Sequence, residues 1–201
     1  MKIQLHGTER EVTTLGPGRR FAVWTQGCNK RCPRCISPNT WNPHGGYEET
    51  TENLASQVLK SNASGITISG GEPFLQAEAL NDFIRRVREQ KDMGVIIYTG
   101  YTLEELKDQN DPAVELLLEN CDLLIDGSYM EELNDGKNLR GSSNQRAIPL
   151  SDRYFKEAVE YGTKDAHIEF FVHEDMIRMV GIPSKEMLEN VQRIFGSKVE
   201  N

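Results

Sequence analysis

The chain has 201 residues, with 23 Lys and Arg against 31 Asp and Glu, a formal net charge of −8 and four cysteines. That length fits one domain with a core of ordinary size, and that charge argues against a nonspecific grip on nucleic acid. No apolar run is long enough to span a bilayer and Met1-Lys2-Ile3-Gln4 does not open like a signal peptide, so a cytoplasmic protein without a membrane partner is expected.

Residues 1–19 show little periodicity, and Gly16-Pro17-Gly18 is a turn signal. Phe21-Ala22-Val23-Trp24-Thr25 is a short apolar run, a strand that delivers the chain to Gln26-Gly27-Cys28-Asn29-Lys30-Arg31-Cys32-Pro33-Arg34-Cys35. A loop rich in turn formers follows, running from Ser37-Pro38-Asn39 to Pro43-His44-Gly45-Gly46; His44 there reads as a solvated surface residue. Helical spacing returns over 51–60, with Leu54, Val58 and Leu59 on one face. Gly65-Ile66-Thr67-Ile68-Ser69 reads as a buried strand stopped by Gly70-Gly71-Glu72-Pro73, and 75–91 as a helix with Leu80, Ile84 and Val87 at helical spacing. Val95-Ile96-Ile97-Tyr98 is the next strand, ending at Thr99-Gly100-Tyr101, and Thr102 with Glu105 forms a capping box for a short helix. Asp111-Pro112 opens another helix, and Leu123-Leu124-Ile125 is a strand closed by Asp126-Gly127. Beyond Arg146 the pattern predicts a helix over 152–161, a strand-turn-strand across 168–172 and 176–180 flanked by His167 and His173, and a last helix over 184–195.

Strands alternating with helices predict an α/β fold with a parallel sheet and crossover helices. Such sheets place their chemistry at the carboxyl ends of strands. Four distinctive stretches fall there: the cysteine loop, Gly70-Gly71-Glu72, Thr99-Gly100-Tyr101 and Asp126-Gly127. Cys28, Cys32 and Cys35 stand at C-x3-C-x2-C spacing, short enough for three thiolates to serve one centre. Structural zinc wants four closed ligands, whereas three cysteines on a cubane of four irons leave one iron open to a substrate. Cys121 reads as a buried small hydrophobe. The paired glycines expose backbone groups to a ligand. Glu72 beside them accepts a hydrogen bond from an ammonium group or steadies the loop. Thr99 and Asp126 offer oxygens to a ribose, a cation or a charged ligand, and Asp126 serves equally well as a cap for the following segment.

Taken together, Cys28-x3-Cys32-x2-Cys35 with Gly70-Gly71-Glu72-Pro73 resembles the radical S-adenosylmethionine enzymes. Thr40-Trp41, Ile68-Ser69-Gly70-Gly71, Thr99-Gly100-Tyr101 before Leu103-Glu104-Glu105-Leu106, Ile125-Asp126-Gly127 and Arg140-Gly141-Ser142-Ser143-Asn144-Gln145 sharpen the resemblance to the activating proteins of anaerobic (class III) ribonucleotide reductase, over about 15–146. The resemblance implies a partial, incomplete parallel β/α barrel forming one radical S-adenosylmethionine domain over 1–201, with a core over about 15–146 and an extension over about 147–201. It implies a [4Fe-4S] cluster on Cys28, Cys32 and Cys35, its fourth iron chelated by the amino and carboxylate groups of S-adenosylmethionine. It implies that Ser69, Gly70, Gly71 and Glu72 hold the methionine end, that Thr99 and Asp126 lie near carboxylate and ribose, and that Arg140 serves the carboxylate or orders its loop. Arg34 and Ile36, flanking the third cysteine, fall at cofactor-binding positions. The partners implied are a glycyl-radical enzyme and a flavodoxin- or ferredoxin-type electron donor. The expected activity is reductive cleavage of S-adenosylmethionine to install a glycyl radical, with direct modification of a peptide or metabolite as the alternative.

Two departures from the family pattern stand out. Many radical S-adenosylmethionine enzymes carry an aromatic residue before the third cysteine, packed near adenine, and here that residue is Arg34. The tail after Arg146 is longer than in compact reductase activases. An open cluster face without a dedicated lid is expected, because that tail is committed to a hairpin and a helix.

Overall fold

The computed structural model describes residues 1–174, 176–196 and the backbone of 199–200. Its elements are, in order, β1 (Lys2–Val12), β2 (Arg20–Thr25), β3 (Tyr47–Thr50), α1 (Thr51–Leu59), β4 (Gly65–Gly70), α2 (Ala77–Arg88), β5 (Gly94–Tyr98), α3 (Leu103–Lys107), α4 (Pro112–Glu119), β6 (Leu123–Asp126), β7 (Arg146–Pro149), α5 (Phe155–Val159), β8 (Ile168–Val172), β9 (Ile177–Gly181), α6 (Lys185–Phe195) and β10 (Val199–Glu200). Helix starts follow local chemistry. Thr102 and Glu105 form a complete capping box on α3, and Asp111 accepts from the Ala113 N–H beside Pro112 at the start of α4. No helix among the described residues is long and apolar enough to cross a membrane.

Seven strands form one sheet in the order β3-β1-β2-β4-β5-β6-β7. Its centre, β2, β4, β5 and β6, is parallel, as alternating strands and helices predict. Its flanks are antiparallel: β1 and β3 on one side, β7 on the other. β1 corrects the expectation for residues 1–19. Ile3, Leu5 and Val12 are buried along it, but Gly7 and the buried Glu9 interrupt the apolar alternation that would have marked a strand. The predicted helix over 75–91 begins with a 3-10 turn at Pro73–Gln76, and that over 152–161 shrinks to a 3-10 turn and the five residues of α5.

The two faces of the sheet are covered differently. On one, Phe21, Val23, Ile66, Ile68, Val95, Ile97 and Leu124 pack against α1, α2 and α4 through Leu54, Val58, Leu80, Phe83, Ile84, Val87 and Leu117. Each such side chain contributes about 1.5–3 kcal/mol when fully buried. On the other, Ala22 and Trp24 meet Phe171, Val180 and Ile182 of the tail, while Ile96, Tyr98, Leu123 and Ile125 meet Tyr154, Ala158 and Tyr161. The tail therefore lies across the inner face of the sheet. Deep on that face is Arg20, fully buried, with no carboxylate partner among the described residues. It donates to Thr67 Oγ1 at 3.0 Å, to the Tyr154 hydroxyl at 2.6 Å and to the Gly94 carbonyl at 3.2 Å. Burial lowers its pKa from the usual guanidinium value.

Candidate functional site: a three-cysteine pocket at the rim of the parallel strands

The cysteine loop leaves β2 and is stapled from behind. Gly27 N–H donates to the Thr40 carbonyl at 2.7 Å and Cys28 N–H to that of Trp41 at 3.2 Å. Gln26 Nε2 reaches the carbonyls of Asn39 and Asn42 at 2.9 and 2.7 Å, and Gln76 Nε2 holds the Gln26 carbonyl at 3.0 Å. The loop then turns tightly, with Arg31 and Arg34 at φ of 45° and 60°, a left-handed conformation that side chains rarely adopt. That twist leaves the Arg34 side chain 78% exposed, 3.8 Å from Glu131.

Gly70 and Gly71 have a role the spacing did not reveal. A Cβ on Gly70 would meet the Thr25 N at 2.5 Å, and one on Gly71 would lie 2.1 Å from the Gly27 carbonyl oxygen. Their smallness lets the end of β4 press against the end of β2, where Gly71 N–H donates to Thr25 and Glu72 N–H to Gly27, both at 2.8 Å. The glycine pair thus joins the β4 rim to the cysteine loop through backbone contact.

Glu72 ties that junction to β5. Its buried carboxylate accepts from Thr99 Oγ1 at 2.8 Å, Gly100 N–H at 2.9 Å and Phe74 N–H at 3.2 Å. Burial pushes its pKa up to about 7, partly offset by the Gly100, Thr99 and Phe74 hydrogen bonds and by nearby Lys30. A carboxylate offers about four lone-pair sites, so a site remains for a ligand donor.

Cys28, Cys32 and Cys35 line one pocket together with Ile36, Ser69, Gly70, Gly71, Glu72 and Thr99. Arg34, Asp126 and Arg140 do not line it. Asp126 accepts from Leu103 N–H at 2.8 Å and from Arg146 Nε at 2.9 Å, so it anchors α3 and β7. Arg140 pairs with Asp135 and lies over the Tyr161 ring, 5.5 Å from its centroid. Within its motif it is Gly141 and Gln145 that reach the pocket, with Gln145 bridging the Gly141 N–H and the Gly127 carbonyl, each at 2.8 Å. Cys121 is buried in the main core, where desolvation raises its thiol pKa well above the usual range. His44, His167 and His173 are exposed, and His173 Nε2 lies 2.8 Å from Glu9.

Sequence reasoning missed the far wall. Met179, Val180, Gly181 and Ile182, from β9 and the residue after it, line the pocket with Leu15 and Trp24. The tail therefore supplies one wall of the pocket. No local motif marks these residues; only the amphipathic hairpin pattern was visible. Tyr98, also on the pocket lining, keeps its hydroxyl buried and without a hydrogen-bond partner among the described residues, as does Tyr161.

The donor set suits an iron–sulfur cluster. All three cysteines are half-buried, line one cavity and form no disulfide among the described residues, and soft thiolates favour such clusters. Among the described residues no three His, Cys, Asp or Glu side chains close on a single metal-ion position. Three thiolates on one cavity fit a cubane, in which each would bind a different iron. Burial raises the Cys35 thiol pKa, with further smaller contributions from Cys32 and Cys28 and opposing hydrogen bonds from Ser37 and Trp41.

The chain matches a family model described as a 4Fe-4S single cluster domain over residues 14–148. It is 31% identical over 147 residues to the anaerobic ribonucleoside-triphosphate reductase-activating protein of Enterobacteria phage T4, covering 70% of this chain and 90% of that one. The chain belongs to the radical S-adenosylmethionine activating-protein family. Other family members include the corresponding protein of Vibrio cholerae, 33% identical over 140 residues that cover 65% of this chain and 87% of that one. The pyruvate formate-lyase 1-activating enzyme of Escherichia coli strain K12 is 35% identical over 156 residues, 74% of this chain. The matched region spans 61% of that enzyme's length.

Proposed function

We propose that this family member reductively cleaves S-adenosylmethionine and uses the resulting radical to install a glycyl radical on a partner enzyme such as anaerobic ribonucleotide reductase. The observation that carries this reading is the single pocket shared by Cys28, Cys32, Cys35, Gly70, Gly71, Glu72 and Thr99. A [4Fe-4S] cluster held by Cys28, Cys32 and Cys35 would supply the one electron that reductive cleavage of the sulfonium requires. The electron comes from a flavodoxin- or ferredoxin-type donor in the cytoplasm.

In this reading the chain's own residues bind and orient. Cys28, Cys32 and Cys35 hold three irons. Ser69, Gly70 and Gly71 present the rim to the methionine end, and Glu72 accepts from its ammonium group. Because Glu72 titrates near 7, binding that cation below neutral pH requires release of a proton, so affinity for S-adenosylmethionine falls as the pH drops below about 7. Thr99 holds Glu72, Asp126 fixes the α3 and β7 ends, Arg140 orders the loop that carries Gln145, and Ile36 packs against the nucleoside. The finer fold assignment belongs to the same proposal: an incomplete β/α barrel built on β2, β4, β5 and β6, one domain over 1–201, with a core over about 15–146 and an extension over about 147–201.

The test is electron paramagnetic resonance on the reduced protein mixed with a glycyl-radical enzyme deuterated at its glycine α-carbon. A stable glycyl signal with deuterium in 5′-deoxyadenosine is expected. Deuterium transfer from a labelled peptide or metabolite instead, with no persistent protein radical, would replace this reading with direct substrate modification.

A further inference from the structure

Between its first and third cysteines the loop carries three cations, Lys30, Arg31 and Arg34. Arg31 and Arg34 are exposed, both on left-handed backbone positions. Lys30 is turned inward. Its side chain is 21% exposed, against 78% for Arg34, and its stem lies across the residue after Thr99 at the rim of β5. Gly100 makes room for it, because a Cβ there would lie 3.0 Å from Lys30 Cγ.

The ammonium end is fixed from two sides. Lys30 Nζ stands 3.8 Å from the centroid of the Tyr101 ring and 3.2 Å from Glu105 Oε2. A cation within about 6 Å of an aromatic face is attracted by the ring quadrupole, more strongly where water is excluded. Both holders are themselves held. The Tyr101 hydroxyl accepts from Asn29 Nδ2 at 2.5 Å, and Glu105 closes the capping box of α3, accepting from Thr102 N–H at 2.8 Å. The span between Cys28 and Cys32 is thereby clasped to the β5–α3 rim, and a fixed positive charge is carried by the residue midway between those two cysteines. That charge reaches the pocket wall: burial raises the Glu72 pKa, and Lys30 is among the groups that oppose the rise.

A cluster on these cysteines gains one negative charge when it is reduced. Its potential is set by net charge, by hydrogen bonds to the sulfurs and by exposure to solvent. A fixed cation stabilises the reduced form, and does so more strongly the less water screens it. Glu105 acts in the opposite sense, but its side chain is 53% exposed and therefore better screened than Lys30. We propose that Lys30 raises the reduction potential of the cluster, easing transfer of the single electron from the donor protein, and that Tyr101 and Glu105 are the positioning residues that keep its charge in place. The inference rests on the proposed placement of the cluster on Cys28, Cys32 and Cys35, and goes further by assigning the control of its potential to a residue that is not a ligand.

An anaerobic spectroelectrochemical titration of the cluster-loaded full chain, following the bleaching of the cluster's visible absorbance, tests this. Lys30→Met should shift the potential to more negative values, and Lys30→Arg should return it close to wild type. Glu105→Gln, which removes the opposing charge, should shift it the other way. A purely structural clasp would give no such reversal of sign. The same potential in wild type and Lys30→Met, or shifts of one sign in Lys30→Met and Glu105→Gln, would overturn the assignment. Should Lys30→Met fail to hold iron, the Glu105→Gln shift decides alone: a positive shift supports the proposal, and a zero or negative one ends it. A wild-type chain that loads no cluster, or a Cys32→Ala variant that loads one as fully, would instead sink the placement of the cluster, and with it both this inference and the proposed function.

Discussion

Glu72 and Gly71 show how much depends on single atoms at this rim. A carboxylate whose pKa is raised to about 7 on folding binds more protons in the folded than in the unfolded chain between the usual carboxylate range and that value. Its contribution to stability is therefore complete below the unfolded pKa and is lost as the pH rises through about 7. The difference amounts to about 3 kcal/mol. Glu72→Gln should remove this component, so urea unfolding of wild type and variant between pH 5 and 8 should give slopes that differ in that window. Parallel slopes would show that Glu72 is ionised throughout. For Gly71, the 2.1 Å approach of an added Cβ to the Gly27 oxygen predicts that Gly71→Ala forces the β4 end away from the cysteine loop. Overpacking of this kind costs about 1–3 kcal/mol, and iron content per chain should fall with it. Full iron occupancy, with only S-adenosylmethionine binding lost, would restore the simpler view that the glycine makes room for a ligand.

Among the elements, the β8–β9 hairpin carries the most unexpected duty. It is joined to the loop after β1 mainly by one carboxylate, Glu169, which accepts four hydrogen bonds. Glu169→Gln keeps the shape but removes the charge and part of the acceptor capacity. Hydrogen bonds to charged groups contribute about 1.5–3 kcal/mol each when buried, and less at this partly exposed position. Amide hydrogen exchange across β8 and β9 should quicken by about tenfold, roughly 1.4 kcal/mol of local opening, while β4 and β5 stay protected. Exchange that rises equally in the central strands would mean that the hairpin and sheet unfold as one unit.

For the whole molecule, the inner face of the sheet is sealed at depth by Arg20 and Tyr154 and left hollow toward the cysteines. Glycines make the seal possible: a Cβ on Gly65 would lie 1.9 Å from Arg20 Nη1, and one on Gly94 would lie 2.2 Å from the Tyr154 hydroxyl. Arg20→Ala leaves that hydroxyl, Thr67 Oγ1 and the carbonyls of Ile66 and Gly94 without the donor that Arg20 gives them. Loss of such a buried network should cost about 3 kcal/mol, read as a lowered urea midpoint with an unchanged slope. A variant as stable as wild type would show that water replaces the guanidinium without penalty.

The local signals in this sequence were strong where chemistry and backbone geometry are written in adjacent residues. The Cys28-x3-Cys32-x2-Cys35 spacing, the glycines after β4, the Thr102 capping box and the buried runs of β4, β5 and β6 each depend on neighbours a few positions apart. They were enough to identify the central α/β pattern and the rim where the candidate residues gather. Tertiary structure decided what depends on residues far apart in the chain. β1 is a strand because β2 and β3 pair with it, despite the polar interruptions at Gly7 and Glu9. Asp126 turns to Arg146 and the α3 N–H, and Arg140 to Asp135, because those donors and acceptors satisfy them before any ligand arrives. Met179 and Ile182 reach the pocket because Glu169 and Arg178 bind residues more than 150 positions earlier. Periodicity reports which side of a strand is apolar; which cavity that side closes is set by long-range packing, and no window of sequence contains it.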